Sequence, residues 1–304
     1  MIPTNRTVAS RTIRDIRRSS LLYLMALPAV AYFLLFAYFP VIQGTIISFQ
    51  NFRFVGRSEF VGFSNYVKVF TTPGFWQSFA NTLLLGVGNV TLTAAVPLVI
   101  ALSLNEVTFR AGKRFVQTII YTPSLFSWVV VGGIWIFLLS PSGGFINAVR
   151  EMFGLKSIYF LVQPDYARAL FIGINLWKQA GYVCILYLAA LSGINPQLYE
   201  AAMIDGAGAF RRTLFITIPS IGRTFQVVLL LNVMGALRIF DQVYVMRNEV
   251  IAPKIDVLMY YVYVQGLQRF QLGYAAAVSV FIFLMTLGLT LIVRSTIRYR
   301  ITEA

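Results

Sequence analysis

The chain of 304 residues contains no histidine, a single cysteine and only 11 acidic residues. Because histidine is absent and Cys184 lies inside an apolar run, the sequence excludes a disulfide framework and the common zinc sites. It also lacks the phosphate-binding pattern G-x-x-x-x-G-K-[ST], and no pair of buried carboxylates is evident for hydrolysis. We therefore predict no catalytic residue and no metal ligand, and we do not expect the chain to be an enzyme.

Charged residues are also scarce, and this composition indicates a membrane protein. They make up 12% of the sequence, whereas a soluble domain carries about a quarter. Hydrophobic residues make up 58%, the mean hydropathy is +0.74, and six apolar runs approach or exceed the ~20 residues that cross a bilayer. We expect an all-α, polytopic bundle of six transmembrane helices within residues 21–293, with spans at about 21–48, 79–102, 115–139, 167–191, 221–240 and 273–293.

The basic residues predict the orientation of this bundle. The net charge of +14 is divided among the membrane flanks and forms no groove with interleaved aromatic residues, so we expect contacts with lipid headgroups and no nucleic acid. Lysine and arginine concentrate on one side of the spans, which the positive-inside rule places in the cytoplasm. Both termini are then cytoplasmic, as tails over residues 1–20 and 294–304, together with the loops at 103–114 and 192–220.

The loop at 192–220 is more elaborate than a turn between two spans needs to be. Asn195 is an N-cap residue, Pro196 suits the first helical position, and Gly206 and Gly208 end the helical pattern. Ala201 and Ala202 give this short helix a face of small residues. We infer that another protein subunit contacts it closely.

Polar residues within the fourth and fifth spans predict an internal pathway, because such residues are costly in a bilayer. Their amides and aromatic rings suit a sugar, which needs partners for its hydroxyls and a flat surface for its ring. The alternative is hydrogen bonding between helices, which we weigh equally for Asn175 and Gln179. For Arg238 an i, i+3 ion pair with Asp241 is the favoured alternative, and Lys178 could pair with an acid on another helix. The candidate pathway residues are Asn175, Trp177, Lys178, Gln179, Tyr182, Asn232, Gly235 and Arg238.

Five motifs resemble those of a known family. Glu200-Ala201-Ala202, Asp205-Gly206-Ala207 and the closing ITIP at 216–219 resemble the EAA loop of binding-protein-dependent ABC importer permeases. The other four are similar to motifs of the maltose-type carbohydrate-uptake group within that family. They are FVGFSNY at 60–66, NLW at 175–177, RIFDQVY at 238–244 and GYAAA at 273–277.

The resemblance implies a type I ABC importer permease of the bacterial cytoplasmic membrane. It implies that Glu200, Ala201, Ala202, Asp205 and Gly206 couple the chain to an ATP-binding subunit dimer, which itself binds ATP and magnesium, so this chain needs no cofactor. It further implies a heterodimer with a second homologous permease. An extracytoplasmic solute-binding protein would deliver a carbohydrate to the outer loops, around 49–78 and 241–272.

The sequence departs from the group's pattern in one place. Where the group usually has a T-x-GGP turn, this chain reads RNEVIAP at 247–253, which is similar to a subgroup tied to longer or acidic oligosaccharides. Lys178 and Arg238 would suit uronate units, so a neutral residue at position 178 is expected to impair transport of acidic sugars selectively.

Three alternatives remain open: an ABC permease for a non-sugar solute, an ion-coupled secondary transporter, or an assembly subunit that transports nothing. A secondary transporter would favour buried acids and a two-fold repeat, which we do not find.

Overall fold

The computed structural model describes residues 20–53 and 55–302, so the expected basic tail at 1–20 lies, apart from Ser20, outside the described residues. The regular secondary structure of the described residues is helical except for one two-stranded antiparallel sheet, β1 (Gln50–Asn51) with β2 (Glu59–Phe60). The helices are α1 (Ser20–Phe33), α2 (Phe39–Ser48), α3 (Ser64–Thr71), α4 (Pro73–Glu106), α5 (Arg110–Leu125), α6 (Trp128–Leu138), α7 (Phe145–Met152), α8 (Pro164–Ser192), α9 (Pro196–Ile204), α10 (Ala209–Arg212), α11 (Ile218–Ser220), α12 (Gly222–Ala236), α13 (Asp241–Met246), α14 (Ala252–Ile255), α15 (Leu258–Tyr263) and α16 (Leu272–Thr302).

Short helical turns of other types complete these elements. A π-helical turn at Leu34–Tyr38 joins α1 to α2, a second at Thr213–Thr217 joins α10 to α11, and a third at Val264–Gln268 follows α15. A 3₁₀ turn at Phe160–Val162 precedes α8. The all-α expectation is confirmed.

Six membrane spans are accounted for, as the sequence predicts. Over the described residues, four continuous helical segments are long and apolar enough to cross a membrane: Leu21–Ser48, Pro73–Glu106, Pro164–Ser192 and Leu272–Ser295. The remaining two spans are bent pairs. Arg110–Leu125 meets Trp128–Leu138 at 105°, and Ala209–Ser220 meets Gly222–Ala236 at 59°.

The third and fifth spans differ in detail from the expected ranges 115–139 and 221–240, and each is bent. In the third, Phe126 and Ser127 have extended backbones, and the Ser127 hydroxyl accepts a hydrogen bond from the Val130 amide as an N-cap. In the fifth, the helix ends at Ala236 and does not continue to 240. The last helix runs to Thr302, so most of the expected C-terminal tail continues the sixth span as helix.

The centre of the bundle is the pair α4 and α8, against which α5 and α12 pack. Gly181 on α8 allows α5 to approach closely, since a Cβ there would collide with the backbone of Ile120 and Tyr121. Tyr187 is fully buried, and its hydroxyl donates to the Ala94 carbonyl at 3.1 Å, which links α8 to α4. These contacts fix the walls of the cavity described below.

The FVGFSNY motif connects the C-terminal end of the first span to the last span. The Asn65 amide donates to the carbonyls of Ser48 (2.9 Å) and Gln50 (3.0 Å), and the hydroxyls of Tyr66 and Ser48 lie 2.7 Å apart. Gly273 at the start of α16 faces the same turn, where a Cβ would collide with the Gln50 carbonyl oxygen. Two of the family-like motifs therefore meet in a structural contact.

A substitution pair on α16 tests this contact. Gly273→Ala forces the backbone at Gln50 to move, and overpacking of this kind typically costs ~1–3 kcal/mol. Gly288→Ala on the same helix meets nothing within 4 Å and is the matched control. Thermal unfolding of the purified chain in detergent should show a lower midpoint for Gly273→Ala alone. Equal midpoints for the two variants would contradict the close approach.

Candidate functional site

A polar cavity of about 330 Å³ lies between α4, α8 and α12. Each helix contributes side chains from one face, so three separate spans converge on it. We call this space the polar cavity; its polar side chains, with one glycine, are Asn89, Thr93, Asn175, Gln179, Tyr182, Asn232 and Gly235.

The polar cavity contains buried groups that the protein itself leaves unpaired. Among the described side chains, four buried polar atoms lack a hydrogen-bond partner, and three of them belong to residues lining this cavity: Asn89 Oδ1, Thr93 Oγ1 and Asn232 Nδ2. An unsatisfied buried polar group costs about 1–3 kcal/mol, and nearly all such groups are satisfied in folded proteins. The cavity is therefore suited to an occupant with several hydrogen-bonding groups, such as water or a polar solute.

The structure brings most of the predicted pathway residues together. Asn175, Gln179 and Tyr182 lie on one face of α8, as their spacing predicts, and they face Asn232 and Gly235 across the cavity. That these residues contact a substrate stays a prediction.

Sequence reasoning missed Asn89 and Thr93 on α4. Their i, i+4 spacing within an apolar stretch of the helix is the same kind of signal that singled out Asn175 and Gln179 on α8. These two residues complete the third wall of the polar cavity.

Lys178 lies beside the polar cavity and donates hydrogen bonds to the backbone where the third span is bent. It is only 7% exposed, and its ammonium group donates to the backbone carbonyls of Phe126 (2.6 Å) and Ser124 (3.3 Å). Carbonyls at the end of a helix lack intrahelical partners and carry partial negative charge, so a cation there is stabilising. Lys178 and Gln179 also line a neighbouring cavity of about 660 Å³ that contains Asp241, so Gln179 connects the two spaces.

Arg238 and Trp177 do not make the contacts that the sequence predicts for them. The expected ion pair between Arg238 and Asp241 is wrong: among the described residues the ion pairs within 4 Å involve neither of them, and both are exposed. The reason is local, since α12 ends at Ala236 and α13 begins at Asp241, which breaks the i, i+3 spacing. Trp177 packs edge-on against Trp135, with ring centroids 5.6 Å apart, and does not line the polar cavity.

The loop helix α9 has the boundaries that its capping signals predict. The Asn195 side chain accepts a hydrogen bond from the Gln197 amide at 3.0 Å. At the other end Gly206 adopts a positive φ of 76°, and the amide of Ala207 donates to the Ala202 carbonyl at 2.8 Å. This is the left-handed glycine termination that favours glycine over every other residue. The helix is thus a defined element and not a frayed loop.

Helix α9 projects from the bundle with its side chains uncovered. None of its residues is buried, and the hydroxyl of Tyr199 lies 2.9 Å from that of Thr217, which fastens it to the π-helical turn. Large apolar side chains around it face outward, including Ile204 at 87% and Phe210 at 80% exposure. Exposed apolar surface beside polar residues is typical of surfaces that contact another protein or the membrane.

Proteins of known family are similar to this chain over most of its length. The sequence profile of the family described as "Binding-protein-dependent transport system inner membrane component" matches residues 93–299. The polygalacturonan/rhamnogalacturonan transport system permease protein YteP of Bacillus subtilis is 41% identical over 264 residues, covering 86% of this chain and 82% of that protein. The trehalose/maltose transport system permease protein MalF of Thermococcus litoralis is 30% identical, covering 93% of this chain and 96% of that protein.

Solved structures agree in fold. A chain in the crystal structure of a bacterial alginate ABC transporter, in complex with an alginate pentasaccharide-bound periplasmic protein, matches with a TM-score of 0.88 and 35% identity, over 96% of this chain and 98% of that chain. A second structure, of a bacterial ABC transporter involved in the import of alginate, matches with a TM-score of 0.87 and 34% identity, over 95% of this chain and 99% of that one. This chain therefore belongs to the binding-protein-dependent transport system inner membrane components, the permeases of ABC importers.

Proposed function

We infer that the chain is the permease subunit of an ATP-driven importer for carbohydrate, and that its substrate is an acidic oligosaccharide. The observation that carries this inference is the polar cavity, whose unpaired amide and hydroxyl groups lie inside a membrane bundle. The relatives narrow the substrate class, because one is a permease for polygalacturonan and rhamnogalacturonan and two matched structures concern alginate, which is an acidic polysaccharide.

The chemistry of the polar cavity suits a sugar. Each sugar hydroxyl both donates and accepts hydrogen bonds, and the amides of Asn89, Asn175 and Asn232 offer both functions. The half-exposed ring of Tyr182 provides a flat apolar surface for the ring of the sugar. Several weak contacts, with no charged group among them, allow the solute both to enter and to leave.

Helix α9 is the element through which ATP hydrolysis acts on this cavity. The residues Glu200, Ala201, Ala202, Asp205 and Gly206 dock on an ATP-binding subunit, which supplies ATP and magnesium chemistry that this chain lacks. Because α9 connects directly to α8 at one end and reaches α12 through α10 and α11 at the other, its displacement moves two walls of the polar cavity. The bundle then alternates between outward-open and inward-open states.

The remaining partners follow from the same scheme. The chain pairs with a second homologous permease in the bacterial cytoplasmic membrane, with both termini and α9 on the cytoplasmic side. A solute-binding protein docks on the opposite end, where the loops at 49–78 and 241–272 lie. The first span supports the pairing, since the apolar part of Leu21–Ser48 is uncovered within this chain.

A substitution at Lys178 tests whether uptake depends on its hydrogen bonds to the bend in the third span. Lys178→Met leaves the carbonyls of Phe126 and Ser124 without their donor, at about 1–3 kcal/mol for each unpaired group. In place of the selective loss expected from the sequence, the backbone contacts of Lys178 predict that uptake of neutral and acidic oligosaccharides falls together, measured as ATP-dependent accumulation in proteoliposomes. Lys156→Met, at an exposed position, is the control. Loss confined to acidic substrates would instead show that the ammonium group contacts the substrate carboxylate.

The function is tested by reconstituting the chain with its partner permease, ATP-binding subunit and solute-binding protein. We expect ATP-dependent uptake of an oligogalacturonide, competed by other acidic oligosaccharides and not by amino acids. Uptake of a non-sugar solute alone would contradict the proposal.

A further inference from the structure

The loop that departs from the family pattern lines a second pocket, at the opposite end of the bundle from α9. This pocket has a volume of about 420 Å³ and lies among the first turn of α4, the loop at 247–256 and the end of α15. We call it the outer pocket; the residues used below are Gln77, Arg247, Glu249, Asp256, Tyr260 and Arg269.

Arg247 is the centre of the outer pocket. Its Nε donates to Asp256 Oδ1 at 2.8 Å, and its Nη1 donates to Glu249 Oε1 at 2.7 Å. The guanidinium also lies 5.0 Å from the centroid of the Tyr260 ring. Its Nη2 lies 3.4 Å from a second oxygen of each carboxylate, so both acids engage the guanidinium through two nitrogens. An arginine stacked on an aromatic ring and held in this way is oriented to bind a carboxylate in place of one of the two.

The two carboxylates that hold Arg247 are not equivalent. Asp256 is 27% exposed, and burial raises its pKa against the opposing influence of Arg247, so its charge depends on that arginine. Glu249 is 87% exposed, and its hydrogen bond to Arg247 lowers its pKa. An exposed ion pair contributes only about 0–1 kcal/mol. Asp256 therefore positions the guanidinium, whereas Glu249 is held weakly and is readily displaced.

The charges that line the outer pocket balance only while Glu249 stays on Arg247. Two arginines and two carboxylates line it, and among the described residues Arg269 has no carboxylate within 4 Å. When the Glu249 side chain swings out to solvent, the pocket is left with one positive charge in excess. One incoming carboxylate restores neutrality, and the rings of Tyr260 and Tyr261 and the amide of Gln77 complete the surroundings that a sugar acid requires.

We propose that the outer pocket is an entry site for a uronate unit of the substrate, in which the sugar carboxylate replaces Glu249 on Arg247. This proposal rests on the proposed function, since it assigns a site for the acidic sugar on its way to the polar cavity. The polar cavity itself has no charged lining residue, so the outer pocket supplies the selection for charge. Glu249 acts as a tethered competitor that keeps the site neutral when it is empty.

The test measures binding of trigalacturonate to the complete importer in nanodiscs, without ATP and without the solute-binding protein, by saturation-transfer NMR. Glu249→Gln removes the competitor and should lower the dissociation constant about threefold. Arg247→Gln combined with Asp256→Asn removes the guanidinium without leaving a buried lone carboxylate, and it should raise the constant by about tenfold or more. Asp256→Asn alone should bind at least as tightly as the wild type, and Lys156→Gln removes one exposed positive charge elsewhere as the control.

Trigalacturonate that is methyl-esterified at all of its carboxylates has no charge and should be insensitive to all four changes. The proposal is overturned if the double variant binds trigalacturonate as the wild type does, or if the ester loses affinity equally. It is also overturned if, in a separate assay with the solute-binding protein present, the double variant weakens only the binding of that protein, which would make the pocket a docking surface. ATP-dependent carbohydrate uptake by the same importer in proteoliposomes separates the two claims. If the wild type shows no uptake, the proposed function is overturned. If the wild type shows uptake and the pocket test fails, only the pocket proposal is overturned.

Discussion

Gly206→Arg is expected to abolish ATP-dependent uptake while the importer remains in the membrane. Gly206 has a φ of 76°, where an L-residue costs about 1–2 kcal/mol, and a long cation there would stand on the surface that we propose to dock. Nothing lies within 4 Å of its Cβ position inside this chain, so the substitution does not disturb the bundle itself. A docking loss of about 3 kcal/mol corresponds to a fall in affinity of roughly a hundredfold.

The experiment compares uptake, ATP hydrolysis and co-purification of the ATP-binding subunit. Gly208→Ala is the control, because Gly208 has an ordinary φ of −66° and open space around its Cβ position. We expect Gly208→Ala to retain uptake and Gly206→Arg to lose both uptake and the ATP-binding subunit. Wild-type uptake by Gly206→Arg would contradict the assignment of α9 as the coupling element.

Asn89→Leu is expected to reduce uptake by tenfold or more, roughly the loss of one substrate hydrogen bond, without destabilising the chain. The Asn89 oxygen has no hydrogen-bond partner among the described residues, so its removal deletes a group that favours only an occupant of the cavity. Replacing an unpaired buried polar group by an apolar one of similar size is neutral or stabilising. The unfolding midpoint should therefore stay level or rise.

Asn81 on the same helix is the matched control for this result. Its amide donates to the carbonyls of Pro253 and Asp256, both at 3.1 Å, and its oxygen accepts from Arg168 at 2.8 Å. Asn81→Leu should thus lower the unfolding midpoint, in contrast to Asn89→Leu. If both variants lower the midpoint and Asn89→Leu keeps normal uptake, Asn89 serves the fold and not the pathway.

Local signals in the sequence predicted the helical elements well. The six apolar runs predicted the spans, and Asn195 and Gly206 predicted both ends of α9, because caps depend on hydrogen bonds between residues close in sequence. The polar face of α8 was predicted from spacing alone, since residues four apart share a helix face.

The remaining features depend on partners that are distant in sequence. The break at Ser127 lies inside an apolar run and is completed by Lys178, which is 52 residues away from Phe126. Arg238 and Asp241 were expected to pair because a continuous helix was assumed, and the chain leaves the helix between them. The role of Asn89 emerges only when α4, α8 and α12 are placed around one cavity.

The contacts of the loop at 247–253 could not be predicted from local sequence either. Its sequence departs from the group's pattern, but nothing local indicated that Arg247 would join Glu249 to Asp256 or that Asn248 would donate to the Leu161 carbonyl at 2.6 Å. These contacts make the loop one wall of the outer pocket.

The most direct test of the account is trigalacturonate accumulation in proteoliposomes that contain the complete importer, measured with ATP and with an imposed ion gradient instead. The account predicts accumulation that requires ATP and the solute-binding protein, that is lost in Gly206→Arg and reduced in Asn89→Leu. Accumulation driven by the ion gradient without ATP, or unchanged by both substitutions, would contradict it.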